Sequence, residues 1–289
     1  MKPVAMDSLA PAPESFRKRS GLSGYLACFN GIVWREVLRF VHQRERFLSA
    51  LVRPLVWLFI FAAGFRQVLG VSIIEPYETY VLYEVFVTPG LIGMILLFNA
   101  MQSSLSMVYD RETGAMRTLL ISPFPRWFLL TSKLIGSGAV SLLQAYVFLL
   151  IAYFWEIEPP PLGYLTVMPA LFLSSLMLGA LALFISSIIK QLENFAGVMN
   201  FVIFPMFFAS SALYPLWRVQ EGSPYLYYLC EANPFTHAVE LIRFALYGQV
   251  NWISLAVVAS CTIVFMIGAI LAYDPSRGLA RRGPAGGEG

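Results

Sequence analysis

The sequence predicts an all-α integral membrane protein with six transmembrane helices. Of its 289 residues, 58% are hydrophobic and only 13% are charged, whereas soluble globular domains carry roughly 25% charged residues. The apolar residues are concentrated in blocks of about 20, the length at which a helix crosses a hydrocarbon core. These blocks lack the alternation of period two that membrane strands show, so they predict helices.

The chain begins with a polar, proline-containing stretch. Residues 1–23 contain no apolar segment followed by a cleavage site, which predicts a disordered cytoplasmic arm rather than a cleaved signal peptide. From residue 24 to about residue 47, apolar residues recur at spacings of three and four, as in an amphipathic helix. We expect this helix to lie flat on the cytoplasmic leaflet, with its basic side toward the headgroups. The basic residues of that side are Arg35, Arg39 and Arg46.

Six apolar blocks lie within the predicted transmembrane domain, residues 24–273. Arg53 is near the start of the first block, where we expect its side chain to reach the cytoplasmic headgroups. The second to fifth blocks contain amides and serines but no centrally placed charge, a pattern that suits an amphiphilic or lipid-linked substrate better than a small ion. Packing between helices through small polar residues explains the serines at least as well. The predicted spans are approximately 48–70, 85–108, 129–155, 165–189, 195–213 and 252–273.

The distribution of positive charge predicts the orientation. If the N-terminus is cytoplasmic, 17 of the 20 lysines and arginines fall on the inner side. Because cytoplasmic loops of membrane proteins are enriched in lysine and arginine, both termini, including a tail at residues 274–289, are predicted to be cytoplasmic. The same topology places residues 109–127 inside and the long loop between the fifth and sixth spans outside.

The polar stretch at residues 109–127 interrupts the apolar blocks. Asp110, Arg111 and Glu112 carry charges of both signs, and residues 115–121 are predicted to form a short helix. Pro123 ends that helix because the residue before a proline disfavours helical dihedrals, and Pro125 is expected to be the first residue of the next helix. Such a rigid element would carry a push from a partner into the membrane. An ordinary solvated connector is the alternative that these charges alone leave open.

The outer loop contains a second well-marked helix. Asn233 is a favourable N-cap and Pro234 a favourable first residue, which predicts a helix from Pro234 to about residue 247. Glu240 and Arg243 are spaced to pair on one face of it. His237 has no second histidine near it in the sequence, so we predict no metal or catalytic site here. These polar residues are expected to fix the helix within this loop or to line the exit of a pathway.

Two motifs resemble those of the ABC-2 type exporter permeases. The first is the run from Asp110 to Gly114, followed by Leu-Leu-Ile-Ser-Pro at residues 119–123 and by Lys133. The second combines Ser-Ala-Leu-Tyr-Pro at residues 211–215 with Asn-Pro-Phe-Thr at residues 233–236 and Glu-Leu-Ile-Arg at residues 240–243. The order of predicted elements is also similar: an interfacial helix, six spans, a cytoplasmic coupling segment between spans two and three, and short helices before span six.

The resemblance implies a role for both regions. It places a coupling contact with a separate nucleotide-binding subunit at Asp110, Arg111, Glu112, Thr113, Gly114, Arg117, Ser122 and Pro123. The interfacial helix would brace this contact. Arg117 departs from the family pattern, in which an acidic residue is common at that position. The outer re-entrant region would comprise Tyr214, Pro215, Asn233, Pro234, His237, Glu240 and Arg243.

The function implied is that of a permease subunit without an ATPase site of its own. No GxxxxGK[ST] phosphate loop occurs in the sequence, so ATP and magnesium are expected on a separate ABC ATPase subunit, present in two copies. A second permease chain, forming a two-fold homodimer, is the simplest partner in the membrane. The resemblance further implies export of an amphiphilic, lipid-linked or drug-like substrate across a bacterial inner membrane, with lipids as neighbours and no nucleic acid.

Two other classes remain as alternatives. An ion-coupled secondary transporter would need an intramembrane acid or a broken-helix ion site, and the predicted spans contain no mid-span aspartate or glutamate. A membrane-embedded enzyme would need clustered histidine, aspartate or glutamate at one depth. The two histidines, His42 and His237, are predicted to lie on opposite sides of the membrane. Three widely spaced cysteines predict neither a disulfide framework nor a metal site.

Overall fold

The computed structural model describes residues 22–42, 44–65, 70–71, 75–77, 80–112, 124–189 and 191–272. Over these residues the chain is all-α apart from one antiparallel pair of two-residue strands, in which Gly70 faces Leu82 and Val71 faces Val81. The elements in chain order are α1 Leu22–His42, α2 Arg44–Phe65, β1 Gly70–Val71, β2 Val81–Leu82, α3 Tyr83–Glu112, α4 Arg126–Tyr153, α5 Gly163–Ile188, α6 Leu192–Phe208, α7 Leu216–Gly222, α8 Pro224–Glu231, α9 Pro234–Leu246 and α10 Trp252–Ala272.

Helix α3 is the centre of the bundle. It packs against α2, α4, α5, α6 and α9, and 89% of its most apolar window is buried inside the chain, against 11% for α10. Its sequence is apolar on all sides rather than along one stripe, which is the pattern of a helix surrounded by other helices. Helix α10 lies at the edge of the bundle, where it packs mainly on α5 and α9 and leaves most of its apolar surface to lipid.

Four helices are long and apolar enough to cross a membrane: α3, α4, α5 and α10. The apolar part of α2 is limited to Leu51–Ile60, and α6 covers only Leu192–Phe208. Both helices correspond to predicted spans but are shorter than a membrane-spanning helix over their apolar parts. Length and composition therefore support four spans, and the six-span topology stays a prediction. Helix α6 ends five residues before the predicted limit because Ala209 leaves helical dihedrals, with φ −93° and ψ 56°.

Helix α1 packs along α4, a contact that the amphipathic pattern alone does not predict. The ring of Tyr25 makes edge contacts with Phe124 and Phe128, at centroid distances of 4.9 and 5.0 Å. About two turns further along α4, a side chain added at Gly136 would lie 3.3 Å from the Cγ atom of Glu36. The buried Glu36 and the exposed Trp34 therefore mark the two sides of α1. The helix ends at His42, and α2 begins at Arg44.

Candidate functional site

The predicted outer region forms a compact cluster, here called the outer cluster, made of α7, α8, α9 and the turn at residues 209–215. Asn233 is the N-cap of α9, and its side chain accepts a hydrogen bond of 3.0 Å from the backbone N–H of Phe235. The amide nitrogen of Asn233 donates to the carbonyls of Met206 and Ala209, at 2.8 and 2.7 Å. These carbonyls lie at the C-terminal end of α6, where the helix leaves them without N–H partners. One side chain thus caps one helix and closes another.

Arg243 is the buried charge of the outer cluster, with 2% of the residue exposed. Its guanidinium donates to the carboxylate of Glu240 and, at 2.8 Å, to the backbone carbonyl of Ser211. It also lies over the ring of Phe86, with the guanidinium carbon 4.3 Å from the ring centroid. Glu240 and Arg243 therefore pair, as their spacing allows, and the pair joins α9 to α3. A buried arginine with a carboxylate, a carbonyl and an aromatic face around it is a structural anchor.

The outer end of α3 is fixed to the turn at residues 209–215 by two further contacts. The phenol of Tyr83 donates a 2.6 Å hydrogen bond to the carbonyl of Leu213. Gly90 lies so close to the turn that an added Cβ would be 2.6 Å from the carbonyl oxygen of Ala212. Tyr214 donates to the carbonyl of Phe208, and Pro215 is the N-cap of α7. The turn at residues 209–215 is thus fixed to α3 by Tyr83 and Gly90, to the end of α6 by Tyr214, and to the start of α7 by Pro215.

His237 faces the start of α10. Its Nε2 atom lies 2.9 Å from the carbonyl oxygen of Glu231, and its Nδ1 atom lies 3.5 Å from the hydroxyl of Ser254. With the proton on Nε2, the ring donates to that carbonyl and Nδ1 is left to accept from Ser254. The described residues contain no group of three histidine, cysteine, aspartate or glutamate side chains placed to hold a metal ion. His237 thus joins α8, α9 and α10.

A cavity of about 310 Å³ opens beside these residues. Its polar lining includes Glu75, Glu231, His237, Glu240 and Arg243, and its apolar lining includes Phe86, Trp217 and Phe244. Two tyrosines lie close to Arg243 in the outer cluster. Burial raises the pKa of Tyr247 to about 12 and also raises the pKa of Tyr77, whose ring lies 4.9 Å from that of Tyr247. Both phenols are therefore neutral at physiological pH.

On the opposite end of α3, the coupling residues are described only in part. The helix continues through Asp110, Arg111 and Glu112 before the described range stops, so the polar stretch begins as helix rather than as a turn. The side chains of these three residues lie outside the described part of the structure. Thr113, Gly114, Arg117, Ser122 and Pro123 lie outside the described residues altogether. Helix α4 resumes at Arg126 with Pro125 as its N-cap, one position earlier in the helix than predicted.

The two helices that flank the coupling stretch are joined by a buried lysine. Lys133 is 7% exposed, and its ammonium group donates a 3.1 Å hydrogen bond to the hydroxyl of Ser106 on α3. On α1, Arg35 forms a salt bridge of 3.3 Å with its neighbour Glu36. The side chains of Arg39 and Arg46 are outside the described part. Deeper in the bundle, the amide of Asn99 donates to the hydroxyl of Ser141 at 2.6 Å.

Arg53 lies at a different depth from the one expected from the sequence. Arg53 was expected to reach the cytoplasmic headgroups, but its guanidinium carbon lies 4.0 Å from the centroid of the Phe98 ring. Phe98 occupies the middle third of α3. The side chain therefore turns toward the bundle at mid-height instead of toward the inner surface. A charge followed by a proline inside an apolar block is the signal that could have drawn attention to it.

Comparison with known proteins agrees with this architecture. A model of the ABC-2 type transporter family matches residues 28–247. A protein named as transport permease ycf38 in Cyanophora paradoxa is 28% identical over 210 residues, which cover 71% of this chain and 69% of that protein. The protein of the same name in Pyropia yezoensis is 26% identical over 224 residues, covering 76% and 74%.

A bacterial relative is also similar over a shorter length. The protein named as multidrug ABC transporter permease YbhR in Escherichia coli K12 is 30% identical over 164 residues, which cover 56% of this chain and 43% of that protein. The family match extends from within α1 to the residue after α9, and so includes both the coupling stretch and the outer cluster. This chain belongs to the ABC-2 type transporter family.

Proposed function

We propose that this chain is the transmembrane subunit of an ATP-driven exporter, in which a separate ABC ATPase, present in two copies, binds and hydrolyses ATP with magnesium. The observation that carries the proposal is the continuity of α3. It runs as one helix from Tyr83, at the outer cluster, to Glu112, where the coupling stretch begins. Thirty helical residues extend about 45 Å, which is longer than a hydrocarbon core. If α3 moves as one rigid helix, a displacement of its inner end also moves its outer end, which contacts the outer cluster.

The inner end of α3 is supported so that a push is transmitted rather than absorbed. Lys133 joins α4 to α3 through Ser106, and α1 lies along the first turns of α4 through Tyr25 and Gly136. We expect the coupling stretch, at Asp110, Arg111, Glu112, Thr113, Gly114, Arg117, Ser122 and Pro123, to contact the ATPase from this base. At the outer end the predicted re-entrant region, including Arg243 and Asn233, would form the exit.

The substrate class and direction belong to the same proposal. The buried polar groups of the spans are amides and hydroxyls, such as Asn99 and Ser141, which suit an amphiphilic, lipid-linked or drug-like molecule. Positive charge is concentrated on one predicted side, which favours cytoplasmic termini in a bacterial inner membrane. The name of the Escherichia coli relative describes a multidrug ABC transporter permease, which is consistent with a drug-like substrate. For the assembly, a homodimer of six-span chains is the simplest arrangement.

The test is the loss of coupling by reversal of one charge. The chain is tagged, expressed in its native host, purified in mild detergent and assayed for a co-purifying ATPase and for Mg-ATP hydrolysis. We expect Glu112→Lys to lose the ATPase or its hydrolysis, because a carboxylate at the predicted contact becomes a repelling or unpaired cation. Glu158→Lys, a matched reversal on the exposed turn at the other end of α4, should retain both.

Two results would contradict the proposal. One is a purified chain that carries no ATPase in any preparation. The other is Glu112→Lys that hydrolyses ATP and exports as well as the unchanged chain. A host defect in export, shown by sensitivity to amphiphilic drugs in a strain lacking the chain, provides the second readout.

A further inference from the structure

A charged side chain lies at the mid-height of the bundle and is exposed on its side. Arg53 is exposed, while its neighbours on the inner face of α2, Leu51 and Leu58, are 4% and 1% exposed. Its guanidinium lies over the Phe98 ring at 4.0 Å. Phe98 is ten residues from residue 108, the predicted inner limit of this span, or about 15 Å along the helix axis. The cation is therefore far from the inner headgroups.

An arginine at this depth is expensive in a lipid environment. Insertion scales assign a charged residue at the centre of a span a cost of about 2.5–3.5 kcal/mol. Within the described residues no carboxylate forms a salt bridge with Arg53, and the ring of Phe98 is its described partner. The cost is offset when an anion or water reaches the group, and intramembrane cations characteristically face such a path.

The contact with Phe98 leaves the hydrogen-bond donors of the guanidinium without an acceptor. A cation–π contact is made to the ring and occupies no N–H donor, so the five N–H donors of Arg53 require other partners. That planar edge matches the two oxygens of a phosphate or carboxylate. Arg53 thus combines a contact with Phe98 and a set of donors that suits an anion.

The surroundings of Arg53 are apolar and aromatic. Trp57, one turn further along α2, contacts the ring of Phe208 on α6 at a centroid distance of 6.3 Å. On α6, the exposed rings of Phe204 and Phe201 lie one and two turns before Phe208, and α2 exposes Val52 and Val56. A receptor for an anion set in an apolar, aromatic wall matches a molecule that has an anionic head and an apolar tail.

We propose that Arg53 binds the anionic group, a phosphate or a carboxylate, of the amphiphile that this chain transports. The inference rests on the proposed function and narrows its substrate class from amphiphiles in general to anionic ones. Arg53 is then a specificity-determining residue on the α2 side of the path. Among the described residues, no carboxylate forms a salt bridge with Arg53, so its guanidinium can pair with the anionic group of the ligand.

The test measures lipid binding to the purified full chain, without ATPase. Native mass spectrometry in a neutral detergent follows titration with lysophosphatidic acid, which has one phosphate monoester and one acyl chain. We expect lysophosphatidic acid to bind at least tenfold more tightly than lysophosphatidylcholine. Arg53→Gln should weaken lysophosphatidic acid tenfold or more, and Arg53→Lys at least threefold, because an ammonium lacks the bidentate edge. Arg126→Gln, which removes an exposed arginine at the inner end of α4, should change binding less than twofold.

Several outcomes would overturn the inference. These are equal binding of the two lysolipids, wild-type affinity in both Arg53 variants, or displacement of the lipid by inorganic phosphate alone, which would indicate a site for free anions. Conversion of a dimer to monomers by Arg53→Gln with unchanged lipid affinity would place Arg53 at a subunit interface instead. If Arg53→Gln does not fold, the affinity of Arg53→Lys for lysophosphatidic acid tests the inference, and an affinity equal to that of the unchanged chain overturns it. The lipid-binding assay contains no ATPase, so a negative result in it does not affect the co-purification test of the proposed function. Likewise, a failure of the co-purification test does not change the measured lipid affinities.

Discussion

The phenol of Tyr83 donates a 2.6 Å hydrogen bond to the backbone carbonyl of Leu213, which lies 130 residues later in the chain. This contact joins the first residue of the central helix to the turn at residues 209–215. Both partners are buried, at 7% and 8% exposure, so water does not replace the bond when it is lost. The outer cluster therefore depends on a single phenol for one of its connections to α3.

We predict that Tyr83→Phe lowers stability while leaving the fold unchanged. The variant leaves the Leu213 carbonyl buried without a donor, at a cost of about 1–3 kcal/mol. The apparent Tm of the purified chain in detergent should fall by several degrees. Tyr80→Phe, which changes a tyrosine that is 63% exposed in the same connection, is the control and should not move the Tm. Equal Tm values for both variants would show that the contact does not stabilise the cluster.

The close approach of Gly90 to the turn gives a second prediction. A methyl group there would meet the backbone oxygen of Ala212 at 2.6 Å, and neither backbone segment is free to move because both are buried. Gly90→Ala should therefore reduce the yield of folded protein and lower its Tm. Gly197→Ala on α6, where nothing lies within 4 Å, should keep or raise the Tm because alanine favours the helix by about 1 kcal/mol over glycine.

The ion pair of the outer cluster should behave as a coupled unit. Arg243→Met removes the donor of both Glu240 and the Ser211 carbonyl, and breaking a buried pair from one side costs about 3–5 kcal/mol. Adding Glu240→Gln in the same chain should cost much less than it does alone, because the carboxylate is then already unpaired. Thermal unfolding of the four chains of this cycle measures the coupling. Arg218→Met, an exposed arginine over Trp217, is the control. Additive losses would mean that the two side chains act independently.

Stability of the outer cluster should fall in alkaline solution. Burial raises the pKa of Tyr247 to about 12, so the folded chain holds this phenol neutral while the unfolded chain ionises it near pH 10. A raised pKa of this kind stabilises the fold fully below pH 10, and the contribution is lost as the pH rises from 10 to about 12. The Tm should therefore stay constant up to about pH 10 and drop between pH 10 and about pH 12. Tyr247→Phe should show a smaller drop, with part remaining because burial also raises the pKa of Tyr77. The same drop in both chains would contradict the assignment.

Local chemistry made parts of this architecture predictable from the sequence. Asn233 and Pro234 marked the start of α9 because capping and proline preferences act within one turn. The spacing of Glu240 and Arg243 allowed their pairing for the same reason. The fold class followed from apolar blocks of membrane-spanning length, since composition alone decides whether a helix is stable in lipid.

The rest depended on tertiary contacts that the sequence does not display. Helix α6 was predicted to reach residue 213, but the hydroxyl of Ser210 bonds to the carbonyl of Phe207 and accepts from the N–H of Ala212. Serines also occur inside the other predicted spans, so Ser210 and Ser211 did not mark the end of this helix in the sequence. Likewise, Arg53 lay near the start of its block, and only the packing of α2 on α3 places its guanidinium at Phe98. The position of a charged residue along its helix does not give its depth in the membrane when neighbouring helices are shifted along their axes.

The packing of α1 on α4 gives the last prediction. Gly136 allows α1 to approach so closely that an added Cβ would lie 3.3–3.4 Å from Glu36 and Val33. Gly136→Leu should therefore force α1 away from α4 and increase tryptic cleavage within α1, which contains exposed Arg35. Gly31→Leu places the same side chain where nothing lies within 4 Å, so its cleavage rate should match the unchanged chain. If α1 supports the base of the coupling stretch, Gly136→Leu should also lower Mg-ATP hydrolysis by the co-purified ATPase. Unchanged proteolysis of Gly136→Leu would show that α1 does not depend on this contact.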